Sequence, residues 1–585
     1  MKKKKKLIIG LAILVVLIAV VIGVFLYAKS FLSAETAIRD DWSIETGDLL
    51  TSDASLDVSV FEADVEASIP VSRVLPDENE EEGFTYYDED VQRRLAAAIV
   101  KMAKEGDFTM EAPLAILNPF GTGSNGLYLH FDTRKAGTVR YTIHVENADI
   151  PDYTQTAYEG GGTRTRHEFQ MIGLVAGEEN TVTMELLGKR GKVISTSTFT
   201  IHMPETMSGY DIILDSEDGE SQAELSDGLY AMIRVGGHTG YAFFYDNDGV
   251  MRYEMVLEGY GLDRILWYEG NMTVCASAYK IAQVNRLGQA VAVYDTGDWE
   301  LHHDMVLEGD EGRIVALASD ATDELNLEDM TIEVDLETGE VKEILDFKDI
   351  FSDYYENDAS ELTATDEFFW LAGQKDWIHL NTIQYLPKDD SVIVSSRETS
   401  TIIKIKDIHT DPQIDYLIGD EDYWKGTPYE EYSYAQVGDF TPQYGQHTVE
   451  YYEGEGLKED QYYLMMFDNN YWVNGTRDDY EIEDLPEEVG TVLASDSLKS
   501  HVYVYLVDEG EKTFSLVHAF DVPYSSIVSN VTPCGDNLVV NSGTANVFGE
   551  YDVNGGLIRQ FSYTCELQTY RVMKDDFAGF WFIAQ

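Results

Sequence analysis

Three histidines of this 585-residue chain share one local grammar, about seventy residues apart. His303 lies in HHDMVLEGDEGRIVALASD, His379 in DWIHLNTIQYLPKDDSVIVSSR and His447 in GQHTVEYYEGEGLKEDQYYLMMFDNN. Each opens a short alternating segment, followed by a polar acidic turn and a second apolar segment (Arg313–Leu317, Ser391–Ser395, Tyr462–Phe467). Repeats of this kind place their histidines on one ring about a common axis. Arg397 ends the second segment of the His379 unit, and Thr544 holds a similar place in VVNSGT. Asn381, two residues after His379, falls on the same face of an extended strand. Arginine offers a planar fork that grips tetrahedral oxyanions. Neutral imidazole is a competent nucleophile or base near neutral pH. A carboxamide and further imidazoles supply hydrogen bonds to developing negative charge.

These residues need a scaffold that brings distant segments to one mouth. From Met207 onward the pattern is β throughout. Its mark is an alternating strand running into an Asp/Asn-x-x(x)-Gly turn, at Asp246, Asn285, Asp335, Asp508 and Asp552, with a degenerate sixth at Asp407. Six such units without a convincing long helix read as a six-bladed β-propeller. Turn chemistry accounts for the Asp and Asn residues without calcium. Upstream, LYLHFD, VRYTIHV, HEFQMIGL, NTVTMELL and VISTSTFTIHM alternate at period two between Gly, Asn and Asp turns, and Pro204 follows. They predict a small antiparallel β-sandwich. The expected division is a membrane anchor or signal over 1–29 and an acidic juxtamembrane linker with one amphipathic helix over 30–107. A sandwich over 108–205 and the propeller over 206–585 complete it. The fold class is therefore all-β, with an N-terminal transmembrane helix.

Bulk composition narrows the functional classes. The formal net charge is −65, with 44% hydrophobic residues, a globular composition that presents no basic face to nucleic acid. Lys2–Lys6 precedes an uncharged apolar run, Leu7–Ala28, of bilayer-spanning length. The charge bias puts the N-terminus inside and the rest at the bacterial cell exterior. SAETA (Ser33–Ala37) leaves cleavage open. Three cysteines, Cys275, Cys534 and Cys565, form no disulfide framework. A Cys534–Cys565 pair and three buried thiols are both open.

No serine nucleophile elbow, phosphate-binding loop or dinucleotide fingerprint is present; GGHTG (Gly236–Gly240) is a turn between strands. HHD (His302–Asp304), DWIHLN (Asp376–Asn381), DDSVIVSSR (Asp389–Arg397), GQH (Gly445–His447) and FDN (Phe467–Asn469) resemble the blocks of bacterial arylsulfate sulfotransferases. NPFG (Asn118–Gly121) and His167–Thr183 are similar to that family's N-terminal sandwich, and Tyr570–Val572 to its closing strand. The likeness spans roughly residues 110–585.

The resemblance implies transfer of a sulfuryl group from an aryl sulfate donor to a phenolic acceptor without the nucleotide PAPS. It implies a ping-pong mechanism through a sulfohistidine. His447 matches the nucleophile. His303, His379, Asn381 and Arg397 match groups around the transferring SO3, with His379 the expected acid for the leaving phenolate. No metal or other cofactor is expected. Glu398–Thr399 depart from the family's His-Gln, which bears on the local charge of the pocket. His302, His238 and Thr544 are weaker candidates for the channel, and His167 reads as structural. A multi-histidine metal site and a non-catalytic surface binding module are the competing classes, and a sulfatase is the close variant. Arg397 at the same mouth counts against a metal. Membrane attachment through the N-terminal helix is expected, and a homodimer is left open.

Overall fold

A computed structural model describes residues 43–51, 55–236, 239–309, 311–358, 373–454, 456–472, 476–477, 485–566 and 569–584. The apolar run, SAETA and His238 lie outside the described residues. Among the described residues no helix is long and apolar enough to cross a membrane.

The alternating segments after Met207 pair into six sheets, each built on four antiparallel strands, the blades of a propeller. Strands Ile265–Tyr268, Trp299–Leu307, Leu380–Leu386, His447–Tyr452 and Asn530–Cys534 are each first in their blade. The first blade takes its first strand from the far end of the chain, because Val572–Asp575 pairs with Leu229–Gly236. The last blade gains a fifth strand, Asp215–Asp218, on Leu557–Ser562. The ring is thus latched at two radii, and neither latch needs a disulfide. All three cysteines are free thiols.

The repeated turn motif joins the third and fourth strands of each blade. Asp246 Oδ1 accepts from the backbone N–H of Asp248 and Val250, at 2.9 and 3.0 Å. Asn285 and Asp552 repeat the pattern. The Gly that ends each of these turns has positive φ, from 75° to 85°. An L side chain rarely adopts that backbone, so the motif records a geometric need. At Asp508 the left-handed position falls to Lys512, at φ 55°.

The sandwich differs from the expected pattern in two respects. LYLHFD and VRYTIHV belong to a single strand, Leu127–Val145. Its register slips between Asp132 and Gly137. Before that slip it pairs with Leu114–Leu117 and Arg164–Met171; after it, with Tyr153–Thr156 and Glu179–Leu187. One strand serving both sheets makes the corner that a turn was expected to make. The sheet also reaches further back than the alternation suggests. Val58–Glu62 and Val71–Pro76, within the segment read as acidic linker, join it at its edge. Their pattern is obscured because Val60 and Phe61 stay exposed on that edge.

The helix Glu89–Glu105 is the one amphipathic helix expected within 30–107. The Asp88 side chain caps it by accepting from the N–H of Asp90 and Val91. Leu95, Ile99 and Val100 are fully buried. The helix also ties the N-terminal domain to the second blade, where Gln92 and Glu89 accept from the backbone N–H of Ala290 and Val293.

Candidate active site

Each histidine enters the site through a break in β geometry. The register between first and second strands slips between Leu301 and Met305, between Leu380 and Thr382, and between His447 and Glu450. His303 and His379 take positive φ, 54° and 46°; in the third case Thr448, next to His447, does so at 53°. A β-branched residue there is a strained outlier, held by surrounding structure. Ahead of it, Gly445 has φ 63°, and a Cβ there would lie 2.7 Å from the Tyr471 carbonyl oxygen. The bulges turn three imidazoles toward the axis. The His303 ring centroid is 4.9 Å from that of His379 and 6.5 Å from that of His447. One ring nitrogen from each lies within 4.8 Å of the others. Tyr570 packs its ring at 5.6 Å from both His303 and His447. That wall comes from the residues just before the C-terminal latch.

The two outer imidazoles are prepared in opposite ways. His447 Nδ1 sits 2.7 Å from Asn469 Oδ1 and 3.0 Å from the Gly445 carbonyl oxygen. The Asn469 carboxamide nitrogen donates to the carbonyls of Ser525 and Val528, which fixes its oxygen toward the ring. Both partners of Nδ1 are acceptors, so Nδ1 carries the proton and Nε2 the lone pair. Burial, then the positive charges of His379 and Arg397, hold His447 well below the usual imidazole range. His303 is pushed well below it as well, by burial and then by His379.

His379 goes the other way. Burial and Arg397 press its pKa down, but the carboxylates of Asp376 and Glu328 outweigh them and carry it to about 9. Its Nδ1 is 2.6 Å from Asp376 Oδ2 and 2.5 Å from Glu328 Oε2. Its Nε2 is buried and makes no hydrogen bond. The loop that aims it is anchored by Trp377, fully buried, whose Nε1 donates to Asp329 at 2.9 Å.

Arg397 lies at the start of the turn after Ser391–Ser396, and its backbone N–H donates to the His379 carbonyl at 3.1 Å. Its Nη2 donates to Asp376 Oδ2 at 2.9 Å. Glu398 Oε1 accepts from both Nε, at 3.0 Å, and Nη2, at 2.6 Å. One edge of the guanidinium fork is therefore already taken.

Two expected residues sit differently. The bulge after His379 breaks the strand's alternation, and Asn381 uses its carboxamide nitrogen to donate to the Gln446 carbonyl at 2.9 Å. It ties the His379 strand to the loop carrying His447. Thr544 donates to Ser525 Oγ at 3.0 Å, and the Ser525 carbonyl accepts from Asn469. It stands three contacts from His447, through Ser525 and Asn469, and supports the Asn469 side chain. Sequence reasoning missed the acidic shell of Glu328 and Asp376. Asp376 had a signal, three residues ahead of His379 in DWIHLN; Glu328 lies in another blade and had none.

The comparisons give this geometry a lineage. The family model for arylsulfotransferase matches residues 215–575, and that for the arylsulfotransferase Ig-like domain matches residues 114–204. The chain belongs to the arylsulfotransferase family. It is an enzyme that transfers sulfuryl groups without PAPS, with aryl sulfates as the general donor class. Solved structures similar to this arylsulfotransferase include a putative 6-phosphogluconolactonase from Bacteroides fragilis. It is 12% identical, over 61% of this chain and 100% of that one, with a TM-score of 0.31. TolB from Acinetobacter baumannii is 10% identical over 69% and 81%, with a TM-score of 0.30. A periplasmic gluconolactonase from Pseudomonas aeruginosa is 8% identical over 75% and 99%, with a TM-score of 0.29. No curated protein matches the chain.

Proposed function

We propose that this arylsulfotransferase works by a ping-pong mechanism with His447 as the covalent carrier. His447 Nε2 attacks the sulfur of the aryl sulfate. The S–O bond to the aryl group breaks, and His379 passes its Nε2 proton to the departing phenolate oxygen. The enzyme is left sulfated on His447, with His379 neutral. An acceptor phenol then gives its proton to His379 and attacks the same sulfur. The N–S bond breaks, and His447 returns to its resting tautomer. His303 and the free edge of Arg397 face the SO3 oxygens as charge develops. Asn381, Asn469 and Thr544 hold the scaffold of the nucleophile.

The observation that carries this reading is the opposed preparation of two imidazoles in one cluster. A nucleophile must be neutral and an acid protonated at the same pH, and His447 and His379 meet those demands. The test is to mix the protein with an aryl sulfate alone, quench, and locate the sulfuryl group by mass spectrometry. Label on His447 is expected; label on another residue moves the nucleophile.

A second reading, a metal centre, rests on the three ring nitrogens within 4.8 Å of one another. Metal binding requires neutral imidazoles, and the carboxylates beside His379 hold it protonated, which disfavours that reading. Stoichiometric metal in purified protein, lost together with activity on chelation, would revive it. We also place the chain at the cell surface, held by Leu7–Ala28. Protease digestion of intact cells, with recovery of the catalytic domain in the medium, checks this.

A further inference from the structure

The pocket that must receive an anion is lined by more carboxylates than cations. Arg397 and protonated His379 supply the positive charge. Asp376 lies on both, Glu328 on His379 and Glu398 on Arg397. Glu398 is the least expected of the three. It is only 6% exposed, and it follows Arg397 directly, inside the turn. It is not needed to fold that turn, which is closed by the Ser400 backbone N–H donating to the Arg397 carbonyl. What its side chain does is seat one oxygen in the notch between Nε and Nη2 of Arg397. That notch is the edge of a guanidinium that takes two oxygens of a phosphate or sulfate side by side.

We propose that Glu398 is a specificity-determining residue, which blocks one edge of Arg397 and makes the site select singly charged sulfuryl esters over doubly charged phosphoryl esters. The inference rests on the sulfuryl-transfer reading of the same site. A sulfate monoester carries one negative charge at neutral and alkaline pH. A phosphate monoester of the same shape carries about two above its second pKa of about 6. Both have tetrahedral heads with three terminal oxygens, so shape separates them poorly and charge must do the work. A monoanion needs only the open edge of Arg397, at Nη1, and the unpartnered Nε2–H of His379. A dianion needs a surplus of cations to offset its lost hydration. Here each cation is already matched by a carboxylate, and the oxygen in the notch repels the second charge at close range. Asp376 cannot serve as the selector in the same way, because it also fixes the protonation of His379. Glu398 touches Arg397 alone among the site's cations.

The test uses two inert ligands of matched shape, benzenesulfonate as the monoanion and phenylphosphonate as the dianion. Each is titrated calorimetrically at about pH 8 into the full-length chain in detergent. The wild type is expected to bind benzenesulfonate at least about ten-fold more tightly than phenylphosphonate. Glu398→Gln, which keeps the shape and removes the charge, should bring that ratio below about three-fold by tightening phenylphosphonate. Glu398→Asp should keep the discrimination. The proposal is overturned if the wild type binds both ligands equally, if Glu398→Gln leaves the ratio unchanged, or if neither ligand binds either protein. Should Glu398→Gln fail to fold, Glu398→Met, also uncharged and of similar length, is held to the same ratio. Sulfuryl transfer from p-nitrophenyl sulfate to a phenol by the wild type is measured alongside. Turnover without anion selectivity removes Glu398 and keeps the reaction. Selectivity without turnover does the reverse.

Discussion

His447 Nδ1 lies 2.7 Å from the carboxamide oxygen of Asn469, whose nitrogen is spent on two backbone carbonyls of the neighbouring segment. The tautomer of His447 is therefore written into the backbone of residues 525–528. Replacing Asn469 with Leu removes the nearer of the two acceptors on Nδ1, leaving the Gly445 carbonyl, and keeps the volume. Loss of a tautomer-fixing partner lowers turnover by about 10²- to 10⁴-fold. Donor KM should change little. Steady-state kinetics with a chromogenic aryl sulfate and a phenol checks the split.

The rate should show a plateau with two limbs. The acid limb marks protonation of His447 and falls below 6.5, because burial and neighbouring positive charge lower its pKa. The alkaline limb marks loss of the His379 proton, near 9. Asp376→Asn removes one of the carboxylates that raise His379, so the alkaline limb should move to lower pH. A pH profile of kcat/KM in both proteins measures the displacement. An unmoved alkaline limb would detach His379 from the acid role.

Arg397→Lys keeps the charge but loses the planar fork. Lysine cannot hold Asp376, hold Glu398 and offer a further edge to the substrate at once. The expected cost is about 10²- to 10³-fold in kcat/KM, the range seen for losing a donor to developing charge. Near-normal rates would remove Arg397 from the site.

Stability is exposed at the turns. Asp246 holds its turn and also pairs with Arg252 at 2.6 Å, where the arginine is 1% exposed. Asp246→Ala leaves that guanidinium buried without its carboxylate, at a cost of about 3–5 kcal/mol. A lower denaturant midpoint, followed by tryptophan fluorescence, is the expected readout. At temperatures where the variant stays folded, activity should persist.

Much of the fold was legible because its signals are local. An alternating strand and an Asp-x-x-Gly turn each fit within a few residues, and six such units specify a ring. The latches leave no local pattern: the pairing of Val572–Asp575 with Leu229–Gly236 joins the two ends of the propeller, and only the likeness of Tyr570–Val572 to a family's closing strand pointed to it. The same divide runs through the site. His303, His379 and His447 were found by their repeated setting, and Arg397 by its place at a strand end. Asn381 was assigned to the histidine face by a two-residue period, and the bulge cancels that period. Glu328 reaches His379 from another blade. Its neighbours in sequence say nothing of the contact.

Sealing the first blade with Val572–Asp575 has a temporal consequence. A ribosome must pass residue 570 before Tyr570 can stand against His303 and His447. Until then His303 and His447 lack their shared aromatic wall. The site is therefore completed only after every blade has been made.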